Sequence, residues 1–317
     1  MIPPAVLAAY PPPVRDCTWV PLPPGGGLNG GRVWRGERCG NPLFALKRWP
    51  ATHTPERMKL VHDRVRAVTE LDITPQLIPT QGGESVVAHG GHCWDVSGWM
   101  DGSPVLLSSP PHPQASAAGR VLAEIHRRWL PPTDTAAPCS AVARRLQLFA
   151  EWERARFQFS GQPEQVAEVE GTLELVRTRL PHARTALLKV SQIRGRVVGI
   201  HGDYWPENVL FQRDRLTAVL DFGNVGFDHP EVDLGRLFAD VPGADRPLIV
   251  AAVAAYNAAA PFDLSAPLVE VLAVTGRLGS LGNWHLRLNA GSHDAGLLSA
   301  ALPRIRRLVS LVLAGAE

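Results

Sequence analysis

The stretch HGDYWPENVLF at residues 201–211, followed by LDFG at residues 220–223, decides the fold. Short apolar runs flank its polar residues at 197–200, 209–211 and 216–220, and turn residues separate the runs. Such runs predict short strands joined by tight loops. The polar loop would then lie at strand ends, where a rigid scaffold can aim its side chains.

Three side chains in this stretch have the types and the order that phosphoryl transfer from a nucleotide needs. Asn208 lies five residues after Asp203, and Asp221 opens the Asp-Phe-Gly turn. Mg²⁺ takes amide and carboxylate oxygens, so Asn208 and Asp221 are the expected metal ligands. Asp203 is the expected catalytic residue, because a carboxylate at the start of this loop can orient or accept the proton of a hydroxyl group. We interpret His201 as a brace for the loop.

The stretch resembles the His-Gly-Asp-x-x-x-x-Asn motif, with its following metal-binding aspartate, of the aminoglycoside phosphotransferase and choline kinase-like family. Protein kinases have His-Arg-Asp at this place. The family's further Asp-Leu is matched by Asp233-Leu234. The resemblance implies an α+β, protein-kinase-like fold of two lobes. Residues 1–100 would form a small lobe with an antiparallel sheet that binds the nucleotide, and residues 101–317 a larger, mainly helical lobe for catalysis and acceptor binding.

The first fifty residues contain two features that fit a nucleotide-binding lobe. A glycine-rich loop precedes a strand, and glycines let backbone amides approach phosphate oxygens closely. Gly26, Gly27 and Asn29 in this loop are therefore expected to contact the nucleotide. Residues 43–49 are predicted to be the returning strand of a hairpin. By the resemblance, Lys47 on this strand occupies the place of the phosphate-binding lysine.

The acid that would hold this lysine is left open by the sequence. Residues 54–70 are predicted to form the next helix, with Thr54 as its N-cap. Glu56 and Asp63 are the acids available on it. Glu56 also fits a role as a charge partner of the helix dipole. Asp63 also fits a role as the partner of Lys59, four residues earlier.

The lobes are predicted to meet after two further strands, at 86–88 and 92–96. In kinase-like folds the backbone of such a hinge reads the adenine edge, so Trp99 and Met100 are expected to border the base. A Trp-Met pair is equally ordinary in a protein core, and the sequence leaves both interpretations open.

Helical periodicity dominates the remainder of the chain. The predicted helices are residues 114–129, 141–159, 163–180 and 266–288. His126 on the first of them is interpreted as a packed, hydrogen-bonded histidine. By the resemblance, the inserted and C-terminal helices would shape the acceptor pocket.

The expected activity is transfer of the γ-phosphoryl group of ATP, or of GTP, to a hydroxyl of a small molecule. An aminoglycoside, an amino alcohol, a sugar or a homoserine-like compound all fit, so the acceptor stays open. A nucleotide-binding pseudokinase or sensor module is one alternative, and the intact Asp203, Asn208 and Asp221 oppose it. A protein Ser/Thr kinase is another. The ten residues between Phe222 and Asp233 are too few for its activation segment.

Composition excludes several other classes of protein. The 317 residues carry a net charge of +2, with 20% charged and 45% hydrophobic residues, so neither disorder nor a nucleic-acid surface is indicated. The four cysteines lack paired spacing, which argues against a zinc site or a disulfide framework. The longest apolar run, residues 247–256, is too short to span a bilayer. We expect a cytoplasmic location and no membrane partner, and the oligomeric state stays open.

Overall fold

The computed structural model describes residues 1–23, 31–104, 112–130, 136–241, 246–291 and 295–314. The chain divides into two compact units. The first consists of Met1–Ser103, Leu210–Gln212 and Thr217–Val225, and the second of Pro104–Val209, Arg213–Leu216 and Gly226–Glu317. An antiparallel sheet dominates the first unit and helices dominate the second, so the predicted α+β class is confirmed.

The helices and strands are numbered in chain order. The helices are α1 (Pro4–Ala8), α2 (Pro12–Arg15), α3 (Pro55–Arg66), α4 (His112–Arg128), α5 (Ser140–Arg154), α6 (Pro163–Val190), α7 (Glu231–Ala239), α8 (Arg246–Asn257), α9 (Ala266–Ala290) and α10 (Ala295–Ala314). The strands are β1 (Thr18–Pro21), β2 (Arg32–Arg38), β3 (Asn41–Arg48), β4 (Val87–His89), β5 (His92–Gly98), β6 (Ser103–Pro104), β7 (Ala136–Pro138), β8 (Arg194–Arg196), β9 (Val198–Ile200), β10 (Val209–Gln212), β11 (Arg215–Val219) and β12 (Gly226–Asp228). Short 3₁₀ turns occupy Thr69–Leu71, Pro206–Asn208 and Phe222–Asn224.

The first unit contains a five-stranded antiparallel sheet in the order β1-β2-β3-β5-β4. Strands β2 and β3 join through Cys39 and Gly40, which both have positive φ, as the two-residue turns that suit a twisted hairpin require. The buried indole rings of Trp34 and Trp94 stack 5.6 Å apart in the core of this unit. Lys47 lies on the central strand β3, where its backbone is fixed on both sides.

Helix α3 follows the sheet and begins as predicted. The Oγ1 atom of Thr54 accepts a hydrogen bond from the backbone N–H of Arg57 at 3.3 Å, and Pro55 occupies the first helical position. The helix ends at Arg66, four residues earlier than predicted, and a separate 3₁₀ turn covers Thr69–Leu71.

The second unit differs from the prediction at two helix ends. Helix α6 runs to Val190 and not to residue 180, because the exposed Pro181 interrupts only one turn while Ala183 and Leu187 continue the buried face. Helix α5 ends at Arg154 and not at residue 159. The chain leaves the helical conformation at Ala155, and the rings of Phe157 and Phe159, two positions apart, stack against each other.

Glycines let the long helices of this unit pack closely. Gly276, Gly279 and Gly282 recur every third residue on α9, and a Cβ added at each would contact side chains of α5. Gly119 on α4 is closer still, since its Cβ would lie 2.1 Å from the carbonyl oxygen of Ala252 on α8. Among the described helices, none combines the length and apolarity needed to cross a membrane.

Candidate active site

The loop that follows β9 is held by one buried aspartate. The carboxylate of Asp233 accepts hydrogen bonds from the backbone N–H groups of His201 at 2.7 Å and Gly202 at 2.8 Å. It also lies 3.0 Å from Nε2 of His126. A carboxylate cannot donate, so Nε2 of His126 carries a proton and donates to Asp233, and Nδ1 lies 2.9 Å from the hydroxyl of Tyr256. Burial would raise the pKa of Asp233, but these hydrogen bonds and the nearby histidines lower it below its usual value.

His201 closes the loop from the other side. Its ring is fully buried, and its Nδ1 accepts a hydrogen bond from the backbone N–H of Asp203 at 3.2 Å. Gly202 has a φ of 74°, a conformation that glycine adopts without strain. The backbone N–H groups of His201, Gly202 and Asp203 therefore all make hydrogen bonds. This fits the interpretation of His201 as a brace for the loop.

Asp203 combines a bound carboxylate oxygen with an unbound one. Its Oδ1 accepts a hydrogen bond from Nε of Arg236 on α7 at 3.1 Å and lies 3.1 Å from Nη2 of the same guanidinium, and the Asp203 side chain is 18% exposed. Within the described ranges, no donor contacts Oδ2. Asn208 reaches the same loop, because its amide nitrogen donates to the backbone carbonyl of Asp203 at 2.9 Å. Arg236 also covers the ring of Trp205, with its guanidinium carbon 4.6 Å from the ring centroid.

The first unit brings together two of the predicted residues, Lys47 and Asp221. The Nζ atom of Lys47 lies 2.7 Å from Oδ1 of Asp221, and it sits 3.7 Å from the centroid of the Trp49 ring. Asp221 has a φ of 59°, in the left-handed region that aspartate tolerates better than most residues, and its side chain caps the following 3₁₀ turn. The direction of the Asp221 carboxylate is therefore set by the local backbone turn.

The lysine's acid partner is thus Asp221, and both helix acids have other contacts. The carboxylate of Glu56 bonds to Thr54, which lowers the pKa of Glu56. Asp63 pairs with Arg66 at 2.9 Å, so its predicted pairing with Lys59 is wrong. Neighbours three and four positions away are equally accessible on a helix surface, and the arginine is the one that reaches the carboxylate.

Two residues that position Asp221 were missed by the sequence analysis. Arg57 on α3 donates through Nη2 to the backbone carbonyls of Gly223 at 2.8 Å and Val225 at 2.6 Å. The ring of Trp49 lies so close to Gly223 that a Cβ there would be 2.6 Å from it. No local sequence signal marks these contacts, because more than 160 residues separate the partners.

The remaining predicted nucleotide contacts are only partly described. Gly26, Gly27 and Asn29 lie outside the described residues. Trp99 and Met100 follow β5 and are both half-buried. The backbone N–H of Trp99 donates to the carbonyl of Leu43 at 2.9 Å, which ties this segment to the edge of β3. Their contact with a base stays a prediction.

The family of the chain follows from its sequence. Residues 22–266 match the model described as the phosphotransferase enzyme family, APH. Because the match covers well over half of its length, the chain belongs to this family, as the motifs predicted. Its class is therefore that of a small-molecule kinase. No curated protein matches the chain.

Solved structures share the fold at low sequence identity. An aminoglycoside phosphotransferase from Alicyclobacillus acidocaldarius is 14% identical, with a TM-score of 0.58 over 99% of this chain and 95% of its own. A spectinomycin phosphotransferase in complex with ADP and spectinomycin is 12% identical, with a TM-score of 0.65 over 94% and 92%. A microcompartment-associated aminopropanol kinase is 17% identical, with a TM-score of 0.61 over 97% and 94%. These likenesses confirm the predicted kinase-like fold.

Proposed function

We propose that this protein transfers the γ-phosphoryl group of ATP, or of GTP, to a hydroxyl group of a small molecule. One observation carries the proposal. The carboxylate of Asp203 is held on a braced loop with Oδ1 bound to Arg236, and no described donor contacts Oδ2. A carboxylate oxygen held in this way can accept the proton of an acceptor hydroxyl. The hydroxyl oxygen would bond to the γ-phosphorus as the bond to the β-phosphate oxygen breaks and ADP leaves.

Asn208 and Asp221 would hold Mg²⁺, and their chemistry fits that role. The amide nitrogen of Asn208 is engaged by the carbonyl of Asp203, so its oxygen is the atom suited to a cation. Asp221 already binds the ammonium group of Lys47, which is how an ionised carboxylate behaves. When bound, Mg²⁺ neutralises charge on the transferred phosphates.

Lys47 would move from the carboxylate to a phosphate oxygen once nucleotide binds. Gly26, Gly27 and Asn29 would contact the phosphates, and Trp99 and Met100 would border the base. The complex of a similar phosphotransferase with ADP supports use of a nucleotide. A cytoplasmic location, where ATP is available, accords with this activity.

Mg²⁺-dependent release of ADP across a panel of hydroxylated acceptors tests the proposal. We expect one acceptor class to stimulate release, and Asp203→Asn to lower kcat about 10²- to 10⁴-fold while ATP affinity stays unchanged. Asp214→Asn is the matched control, since Asp214 is an exposed aspartate in the turn between β10 and β11. Stimulated release that Asp203→Asn leaves intact would contradict the assignment. ATP binding without stimulated release would favour a nucleotide-sensing module.

A further inference from the structure

Arg145 of the second unit makes no salt bridge with a described residue. Arg145 on α5 donates through Nη1 to the backbone carbonyl of Leu272 and to Oγ1 of Thr275, both on α9. These acceptors are neutral. In the described part of the chain, Nε and Nη2 of Arg145 make no hydrogen bond and no carboxylate pairs with its guanidinium. The Nε–Nη2 edge is one of the two edges by which arginine binds a carboxylate or phosphate with two parallel hydrogen bonds.

The surroundings of Arg145 make its charge unfavourable. Burial, together with repulsion from Arg236 and Arg144, lowers the pKa of Arg145 to about 10, although the charges of Cys139 and Asp228 act in the opposite direction. A protein keeps a crowded cation without a counter-ion at a loss of stability, and such groups concentrate at functional sites.

Arg145 lies beside the helix that carries Arg236. A Cβ added to Gly276 would be 3.2 Å from Nη2 of Arg145 and 3.2 Å from Cβ of Ala239. Ala239 is one helical turn after Arg236 on α7, and Arg236 binds Asp203. Because Gly276 has no side chain, the guanidinium of Arg145 fits beside it. There it is close enough to Arg236, which binds Asp203, for the two charges to interact.

Four other arginines of this unit differ from Arg145, because each contacts a carboxylate. Arg236 pairs with Asp203, and Arg144 pairs with Asp228 at 2.9 Å. The other two belong to α10 and share two acids. They are Arg304 and Arg307, which contact Glu207 and Asp240. Of these five arginines, only Arg145 contacts no carboxylate in the described part of the chain. Arg277 on α9 contacts none either, but backbone carbonyls engage its Nε and both Nη atoms, whereas the Nε–Nη2 edge of Arg145 makes no hydrogen bond.

We infer that Arg145 binds an anionic group of the acceptor through its Nε–Nη2 edge. The inference rests on the proposed function and narrows its acceptor to hydroxylated compounds that carry a carboxylate or a phosphate group. A polycationic acceptor would meet two guanidinium groups at this place and be repelled. Arg145 is then a specificity-determining residue, and Asp203 remains the residue that handles the proton.

Matched acceptor pairs and one pair of variants test this role. The acceptors are glucuronate, glucose 1-phosphate, their neutral parent glucose and the cationic glucosamine, with a hydroxy acid and its amide beside them. Arg145→Met removes the charge at similar length. Arg154→Met is the matched control, because Arg154 is exposed on the same helix and bonds only to the carbonyl of Ala150. Comparing the carboxylate acceptors with the phosphate acceptor shows which of these two anionic groups Arg145 binds.

We expect anionic members of the pairs to be the better acceptors of the wild-type protein. Arg145→Met should raise their KM about 30-fold or more, with a smaller change in kcat and little change for neutral members. Its melting temperature should equal or exceed that of the wild type, because an unpaired charge is removed. A lower melting temperature with equal effects on all acceptors would assign Arg145 a structural role and overturn the inference.

A binding measurement separates this inference from the proposed function. Sulfate is titrated calorimetrically into Asp203→Asn with AMP-PNP and Mg²⁺ present, so that turnover does not contribute and the nucleotide site is filled. Sulfate affinity that falls about tenfold with Arg145→Met, and not with Arg154→Met, supports the anion site even if no acceptor is turned over. Equal affinity in both variants overturns the site, and acceptor-dependent ADP release would still uphold the phosphotransferase.

Discussion

Replacing Asp233 by asparagine should both destabilise the protein and slow its reaction. The carboxylate accepts from the backbone of His201 on Oδ2 and of Gly202 on Oδ1, and His126 donates to Oδ2 as well. Asparagine has one side-chain oxygen. Its amide nitrogen would therefore face at least one of these donors, which leaves that donor buried and unpaired.

The expected loss follows from these contacts. Removing one charge-assisted hydrogen bond costs about 1.5–3 kcal/mol, and an unsatisfied buried donor adds about 1–3 kcal/mol. We expect Asp233→Asn to lower the free energy of unfolding by about 3–5 kcal/mol at pH 7. Because the loop that carries Asp203 loses an anchor, kcat should fall about 10- to 100-fold with ATP affinity little changed.

Urea-induced unfolding at pH 7 and acceptor-stimulated ADP release measure the two effects. Asp214→Asn makes the same chemical change at an exposed turn, so it should alter stability by less than about 0.5 kcal/mol. An Asp233→Asn protein within about 1 kcal/mol of the wild type and fully active would refute the role of this carboxylate as the anchor of the loop.

Two further predictions concern stability. Burial lowers the pKa of His285 to about 4, so the unfolded chain gains its proton near pH 6.5 before the native protein does. Stability should then fall by about 3 kcal/mol as the pH drops from about 6.5 to about 4, and His285→Gln should remove this part of the pH dependence in urea titrations. Gly119→Ala should cost about 2–4 kcal/mol, because its Cβ would lie 2.1 Å from the carbonyl oxygen of Ala252. Gly171→Ala, with nothing within 4 Å of the new Cβ, should instead raise the stability by up to about 1 kcal/mol. Thermal melting measures both variants, and a higher melting temperature for Gly119→Ala than for Gly171→Ala would contradict this packing.

The fold was predictable where its signals are local. Strand β3 was expected at residues 43–49 and occupies Asn41–Arg48, and the cap of α3 at Thr54 is present. Proline was a poor guide in α6. The apolar positions beyond Pro181 are buried against other helices, and tertiary packing outweighs the loss of one backbone hydrogen bond.

The sequence motifs of the site were predictable, but most of the residues that hold or surround them were not. Asp203 and Asn208 lie on one loop, so their spacing in sequence fixes their relation in space. Arg236 could have been found, because it follows Asp233 by three residues and so shares a face of α7. Arg145 could not, since its neighbours come from helices far along the chain and only the packing brings them together.

The two aspartates that define the loop show why residue type alone does not assign a role. Asp233 is fully buried, and its two oxygens accept three hydrogen bonds, which stabilise its charge and leave it no part in proton transfer. Asp203 is partly exposed and has an oxygen that no described donor contacts. A base needs a lone pair that the protein has not already engaged. In the proposed function, the surroundings of the two carboxylates therefore make Asp233 an anchor of the loop and Asp203 a base. Exchanging their hydrogen-bond partners would exchange these two roles.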